Sequence, residues 1–157
     1  MAAGKTYEPI STTTVSGTPT SITLSPPSTY TDLKLIVWHG TGFADNMNIR
    51  FNSDTASNYY FQYFNGGTQA QTNTSYIELN WGDGVNSFYN VDIFNYNGAA
   101  WKGLQARQAD YQNYPGANVG TWRGTAAITS ITLRIGAAGS STFPNGTIVT
   151  LFGISAA

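Results

Sequence analysis

Residues 32–39 read DLKLIVWH, and this octet decides the fold class. In an extended chain Leu33, Leu35 and Val37 share one side while Lys34 takes the other, because side chains alternate with period two. That period marks a strand with one buried face. The pattern returns in NMNIRFN (46–52), where Met47, Ile49 and Phe51 alternate with Asn48, Arg50 and Asn52. It returns again in SYIELNW (75–81) through Ile77, Leu79 and Trp81, and in SITLRIG (130–136) through Ile131, Leu133 and Ile135. Strands with one apolar and one polar face build antiparallel sheets stacked face to face.

No window sustains the i, i+3, i+4, i+7 apolar stripe of a helix with caps. The runs are punctuated by SPPS (25–28), NGG (65–67), WGDG (81–84), YPGAN (114–118) and PNG (144–146), which is turn chemistry. Strands are expected near 6–13, 20–24, 32–39, 46–52, 58–64, 74–80, 87–96, 101–109, 120–127, 130–136 and 147–154. The fold class that follows is all-β, an antiparallel two-sheet β-sandwich of jelly-roll type. One domain over 6–157 is expected behind a loose N-terminal arm at 1–5, and 157 residues suffice for a real core.

Composition narrows the function classes. Charged residues are 10% of the chain, against about 25% in average usage. The formal net charge is −1, and the seven basic residues are scattered singly. Nucleic acid and anionic membrane surfaces, which select basic stripes, are not the expected partners. Without cysteine there is no disulfide, thiolate metal site or Cys nucleophile. The N-terminus MAAGKTYEPI has no apolar core of a secretory signal, so synthesis in the cytosol is expected.

Catalytic chemistry is sparse. The single histidine, His39, ends the apolar face of the 32–39 strand beside the Gly40–Thr41–Gly42 turn. No GxSxG elbow and no second histidine accompany it, so a structural or interface position is expected. Of the eight acids, Glu78 and Asp92 stand mid-strand on outward faces, where solvated carboxylates are ordinary. No enzyme activity and no cofactor are expected. Asn52–Ser53–Asp54–Thr55–Ala56–Ser57–Asn58 offers oxygens for Ca²⁺, yet holds one acid and no glycine. Asp54 is thus a weak metal candidate, and Asx turns by Asp54 and Asn52 are the preferred reading.

What remains is aromatic surface, with aromatics at 14% of residues. In YYFQYF (59–64), Tyr59, Phe61 and Tyr63 share one face while Tyr60 and Phe64 take the other. Both faces cannot enter one core. The candidate partner or glycan interface comprises Trp38, Tyr60, Phe64, Trp101, Tyr111, Tyr114 and Trp122. Aromatic, charge-poor surface suits a protein interface, Trp and Tyr also stack on sugar rings, and long loops folded over the aromatics are a third reading.

Three segments, TYEPISTTT (6–14), STYTDLKLIV (28–37) and RFNSDTASNY (50–59), precede a closing FPNGTIVTLFGI (143–154). In this order they resemble the small virion proteins of tailed bacteriophages. Those proteins share a Y-x-x-I…T start, a P-x-x-Y-T-D-L strand entry, an F-N-x-D-T-x-x-N-Y element and a terminal G-T-(I/V)…G-I strand. The likeness does not extend over roughly 65–120, and Ala56 stands where the pattern often has Gly. The resemblance implies a jelly-roll subunit of the virion that works as an oligomer. A capsid cement or decoration protein, homotrimeric and bound to the major capsid protein, is the expected role. Two features direct it there: no fibre-shaft or coiled-coil pattern, and no concentrated acid–base or metal chemistry. The alternative is a tail-associated module that binds cell-surface carbohydrate through Trp38, Trp101, Trp122 or the 111–114 loop.

Overall fold

The computed structural model describes residues 7–39, 45–64, 68–82, 87–109, 115–136 and 139–155. The expected arm at 1–5 and the Gly40–Thr41–Gly42 turn lie outside them. Among the described residues twelve strands are formed: β1 (Tyr7–Thr14), β2 (Ser21–Leu24), β3 (Asp32–His39), β4 (Asp45–Phe51), β5 (Tyr59–Phe64), β6 (Thr68–Thr74), β7 (Ile77–Gly82), β8 (Ser87–Phe94), β9 (Lys102–Ala109), β10 (Gly116–Trp122), β11 (Ile131–Ile135) and β12 (Ile148–Ile154).

They make two antiparallel sheets. The larger, eight-stranded sheet runs β1-β12-β3-β8-β9-β10-β5-β6, and the smaller runs β2-β11-β4-β7. Only β5–β6, β8–β9 and β9–β10 are neighbours in both sequence and sheet, and every other pair of successive strands lies in different sheets. That repeated crossing wraps the chain as a jelly-roll sandwich, the expected class.

The core forms where the alternation placed it. Leu33, Leu35 and Val37 of β3 meet Met47, Ile49 and Phe51 of β4 and Ile131, Leu133 and Ile135 of β11, all of them buried. Tyr89, Val91 and Ile93 of β8 and Val149 and Leu151 of β12 complete the layer. Full burial of each aliphatic side chain contributes about 1.5–3 kcal/mol. Asn118 on β10 ties the sheets together at one edge, its Nδ2 donating to the Glu78 carbonyl of β7 at 2.6 Å. Lys102, fully buried, donates its ammonium to the carbonyls of Gly98, Ala100 and Thr125 and so caps the 95–101 loop.

Two strands depart from expectation. β6, TQAQTNT, was not anticipated because it carries no large apolar residue. It is the outer strand beyond β5, held by its ladder and by polar bonds at Asn73 and Thr74, so neither parity had to be hydrophobic. β10 was expected at 120–127 with a turn over 114–118, but it runs from Gly116 and stops at Trp122. Its partners Gln108–Lys102 on β9 and Phe64–Tyr59 on β5 fix it there from both sides, overriding the turn propensity of Gly116 and Asn118.

Candidate functional site

The polar turn between β4 and β5 holds its one acid inward. Asp54 Oδ1 accepts from the Ala56 amide at 2.9 Å, an Asx turn. Its Oδ2 accepts from Asn58 Nδ2 at 2.9 Å and from Trp122 Nε1 at 2.7 Å. Partial burial raises the Asp54 pKa, but the hydrogen bonds from Asn58, Trp122 and Ala56 outweigh it and leave the carboxyl below its usual value. Three donors thus engage the carboxylate, and no second acid stands with it in the turn.

Asn52 differs from the expected Asx turn. Its Oδ1 accepts from the Thr129 and Ser130 amides at 2.8 and 3.2 Å, and its Nδ2 donates to the Ala127 carbonyl at 2.8 Å. The turn is thereby bolted to the segment entering β11. Tyr59, fully buried, closes it from below by donating to the Phe51 and Asp54 carbonyls.

Trp122 corrects the candidate interface. It is 3% exposed and packs against Phe51 and Tyr59, with ring centroids 5.8 and 6.4 Å away. The side chain is inward because Asn118, Gly120 and Trp122 share the parity of β10 that faces the small sheet. It is a core residue, not a surface one. Tyr111 and Tyr114 lie outside the described residues.

Trp38, Tyr60, Phe64 and Trp101 are exposed, and the first three share one surface, the outer face of the eight-stranded sheet. Cross-strand register sets Ile148, Trp38 and Phe88 side by side at one end of β12, β3 and β8. Phe94, Val119, Tyr60 and Phe64 continue the face across β8, β10 and β5, and Tyr7 flanks it on β1. Trp38 is 43% exposed and Phe88 39%. Beside Tyr7, an apolar hollow of about 200 Å³ is lined by Lys34, Ile36 and Phe152. Two of the cations on this face share one acid: Lys34 pairs with Asp92, whose other oxygen lies 3.6 Å from Arg107 Nη2. Asp92 is therefore not the solvated acid expected from its outward parity.

Sequence reasoning missed Tyr7, Phe88, Phe94, Val119 and Ile148. A signal was present, since SFYNVDIF places Phe88 and Phe94 opposite the core parity of Tyr89, Val91 and Ile93. A strand apolar on both parities has a second surface to cover.

Trp38 and Trp101 cannot share a sugar. Trp38 pairs with Phe88, which pairs with Ala109 at the far end of β9, whereas Trp101 directly precedes that strand. At ~3.4 Å per residue they stand roughly 25 Å apart.

The other candidates for chemistry are also accounted for. His39 is buried on the Leu33 face and stacks on Tyr89, with centroids 6.1 Å apart. Glu78 is not a solvated acid either. It accepts from Asn46 Nδ2 and from the Tyr63 hydroxyl. Burial raises its pKa and nearby Asp45 raises it further, opposed by the Tyr63 bond. Tyr63 is itself raised, by burial and then by bonding to Glu78. Among the described residues, no three His, Cys, Asp or Glu side chains converge as a metal site.

No protein-family model matches the chain, and no curated protein matches it. Among solved structures, galectin LEC-6 of Caenorhabditis elegans aligns over 92% of this chain and 96% of its own at 12% identity, with a TM-score of 0.41. The high-affinity mannose-binding lectin of Ralstonia solanacearum aligns over 64% of this chain and 94% of its own at 11% identity, with a TM-score of 0.19. Both scores lie below 0.5, so neither neighbour informs the functional reading.

Proposed function

We propose that this chain is a structural protein of the tailed-bacteriophage virion, a capsid cement or decoration subunit without enzymatic activity. The observation that carries the reading is the outer face of the eight-stranded sheet. Large apolar side chains on six of its strands are exposed there, and few charges stand among them, Lys34 and Arg107 sharing Asp92. Eight strands about 4.8 Å apart and some 22 Å long span about 750 Å², close to one partner's share of a standard protein interface. Aromatic-rich, charge-poor surface is what interface cores are made of. The resemblance of TYEPISTTT, STYTDLKLIV, RFNSDTASNY and FPNGTIVTLFGI to small virion proteins supplies the context.

In this reading the face docks on virion protein, with a second and third copy of the chain alongside as a homotrimer. Binding the assembled shell but not its dissociated parts stabilises the shell by mass action. A heat challenge tests it. Particles lacking the protein are expected to release their contents at lower temperature than complete ones, and to recover on adding purified protein. Equal heat survival with and without it refutes the cement role.

A further inference from the structure

Lys34, Asn90 and Asp92 meet on the two central strands of the eight-stranded sheet. Register sets Lys34 of β3 opposite Asp92 of β8, and Ile36 opposite Asn90. Asn90 and Asp92 therefore share one parity of β8 and flank the lysine. Lys34 Nζ donates to Asp92 Oδ1 at 2.5 Å and to Asn90 Oδ1 at 2.8 Å. One amine thus touches both a carboxylate and a side-chain amide. The Asn90 carbonyl carbon lies one C=O bond of about 1.23 Å from that oxygen, so Nζ stands within about 4 Å of it. Reacting atoms in a near-attack arrangement stand about 3–3.5 Å apart.

The trio is sheltered. The side chains of Lys34 and Asp92 are 15% and 13% exposed. Tyr7, Ile36 and Phe152 line the apolar hollow beside Lys34, and the Tyr7 ring centroid is 5.9 Å from Nζ. Arg107 approaches the other oxygen of Asp92 at 3.6 Å and leaves Oδ1 to the amine. Lys102, the other lysine among the described residues, donates to main-chain carbonyls instead.

We propose that Lys34 and Asn90 join through an isopeptide bond, formed once in the folded chain with loss of ammonia and assisted by Asp92. Passing a proton from Nζ to Asp92 Oδ1 replaces two charges by two neutral groups, a change that apolar walls assist. The freed amine attacks the Asn90 carbonyl carbon, so the Nζ–Cγ bond forms and the Cγ–Nδ2 bond breaks. Two protons leave Nζ, one before and one after attack. Asp92 relays both to Nδ2, which departs as ammonium, and Asp92 returns to carboxylate. Charge and atoms balance without metal, oxidant or second substrate. Holding amine and amide together across a strand pair supplies the effective concentration such a reaction needs. The bond joins residues far apart in the chain and restricts the unfolded state as a disulfide would, in a chain without cysteine. It stands whether or not the sheet face docks on a virion.

Intact-mass spectrometry of the purified folded chain tests this. The wild type is expected to be lighter than its sequence by one ammonia, with a proteolytic peptide pair joined at Lys34 and Asn90. K34R, which keeps the charge opposite Asp92 but has no amine, and N90A should both show their full sequence mass. D92N should form the bond about a hundredfold more slowly or worse, the loss of a general acid–base group. Circular dichroism matching the wild type certifies that each variant is folded. An Asn–Gly pair such as Asn145–Gly146 can also lose ammonia, by ring closure on the following amide, and K34R would retain that loss. Three outcomes overturn the proposal: a wild-type chain at full sequence mass after prolonged incubation in the folded state, an ammonia loss that persists in K34R or N90A, or an undiminished rate in D92N.

Discussion

Asp54→Ala probes the joint on which the β4–β5 turn depends. The substitution removes a carboxylate that accepts from Ala56 N, Asn58 Nδ2 and Trp122 Nε1 at 2.9, 2.9 and 2.7 Å. A hydrogen bond to a charged acceptor contributes about 1.5–3 kcal/mol, and stranding a buried indole N–H costs about 1–3 kcal/mol. Asp54 is half-buried and water replaces its bonds to Ala56 and Asn58, so the low ends for the Trp122 bond and the stranded indole dominate and the expected loss is about 3 kcal/mol. For a chain of this size that corresponds to about 6–12 °C in Tm. The assay is urea denaturation followed by tryptophan fluorescence, with W122F and the double variant completing a cycle. A coupling of about 1 kcal/mol between the two positions is expected. The sign with pH follows from the lowered carboxyl. Its contribution is complete above the unfolded carboxylate pKa and disappears as pH falls through the folded one, so D54A should lose less stability than the wild type on acidification. A loss under about 0.5 kcal/mol, the level of an ordinary surface change, or a coupling of zero would refute the reasoning.

Three further outcomes are expected. Glu78 has a raised pKa, so its contribution is complete below the unfolded value of about 4.5 and is lost as pH rises through the folded one. Glu78→Gln should therefore gain stability relative to the wild type as pH increases across that window, and parallel melting curves at pH 4 and pH 7 would contradict it. Lys102→Met leaves the Gly98, Ala100 and Thr125 carbonyls without their shared donor, and should cost about 2–3 kcal/mol by chemical denaturation. Phe88→Lys, on the outer face, should change monomer stability by less than about 1 kcal/mol while weakening binding to particles lacking the protein tenfold or more, read by co-sedimentation.

What the sequence made legible was whatever a single strand can encode. Alternation in DLKLIVWH, NMNIRFN and SITLRIG identified core residues correctly because each strand buries one parity wherever its neighbours lie. Pairing order was not legible, since which strands meet depends on crossings between sheets. β6 was missed because an edge strand of Thr, Gln and Asn has no burial to announce it. Trp122 was misplaced because the start of β10 was set by its partners, not by its own YPGAN segment.

The central claim, a shell subunit docked by its apolar sheet face, meets its most direct test in the copy number of the protein in purified particles. Quantitative mass spectrometry relative to the major capsid protein is predicted to give a ratio near one or a simple fraction of it. A handful of copies per particle, or none, would contradict the claim.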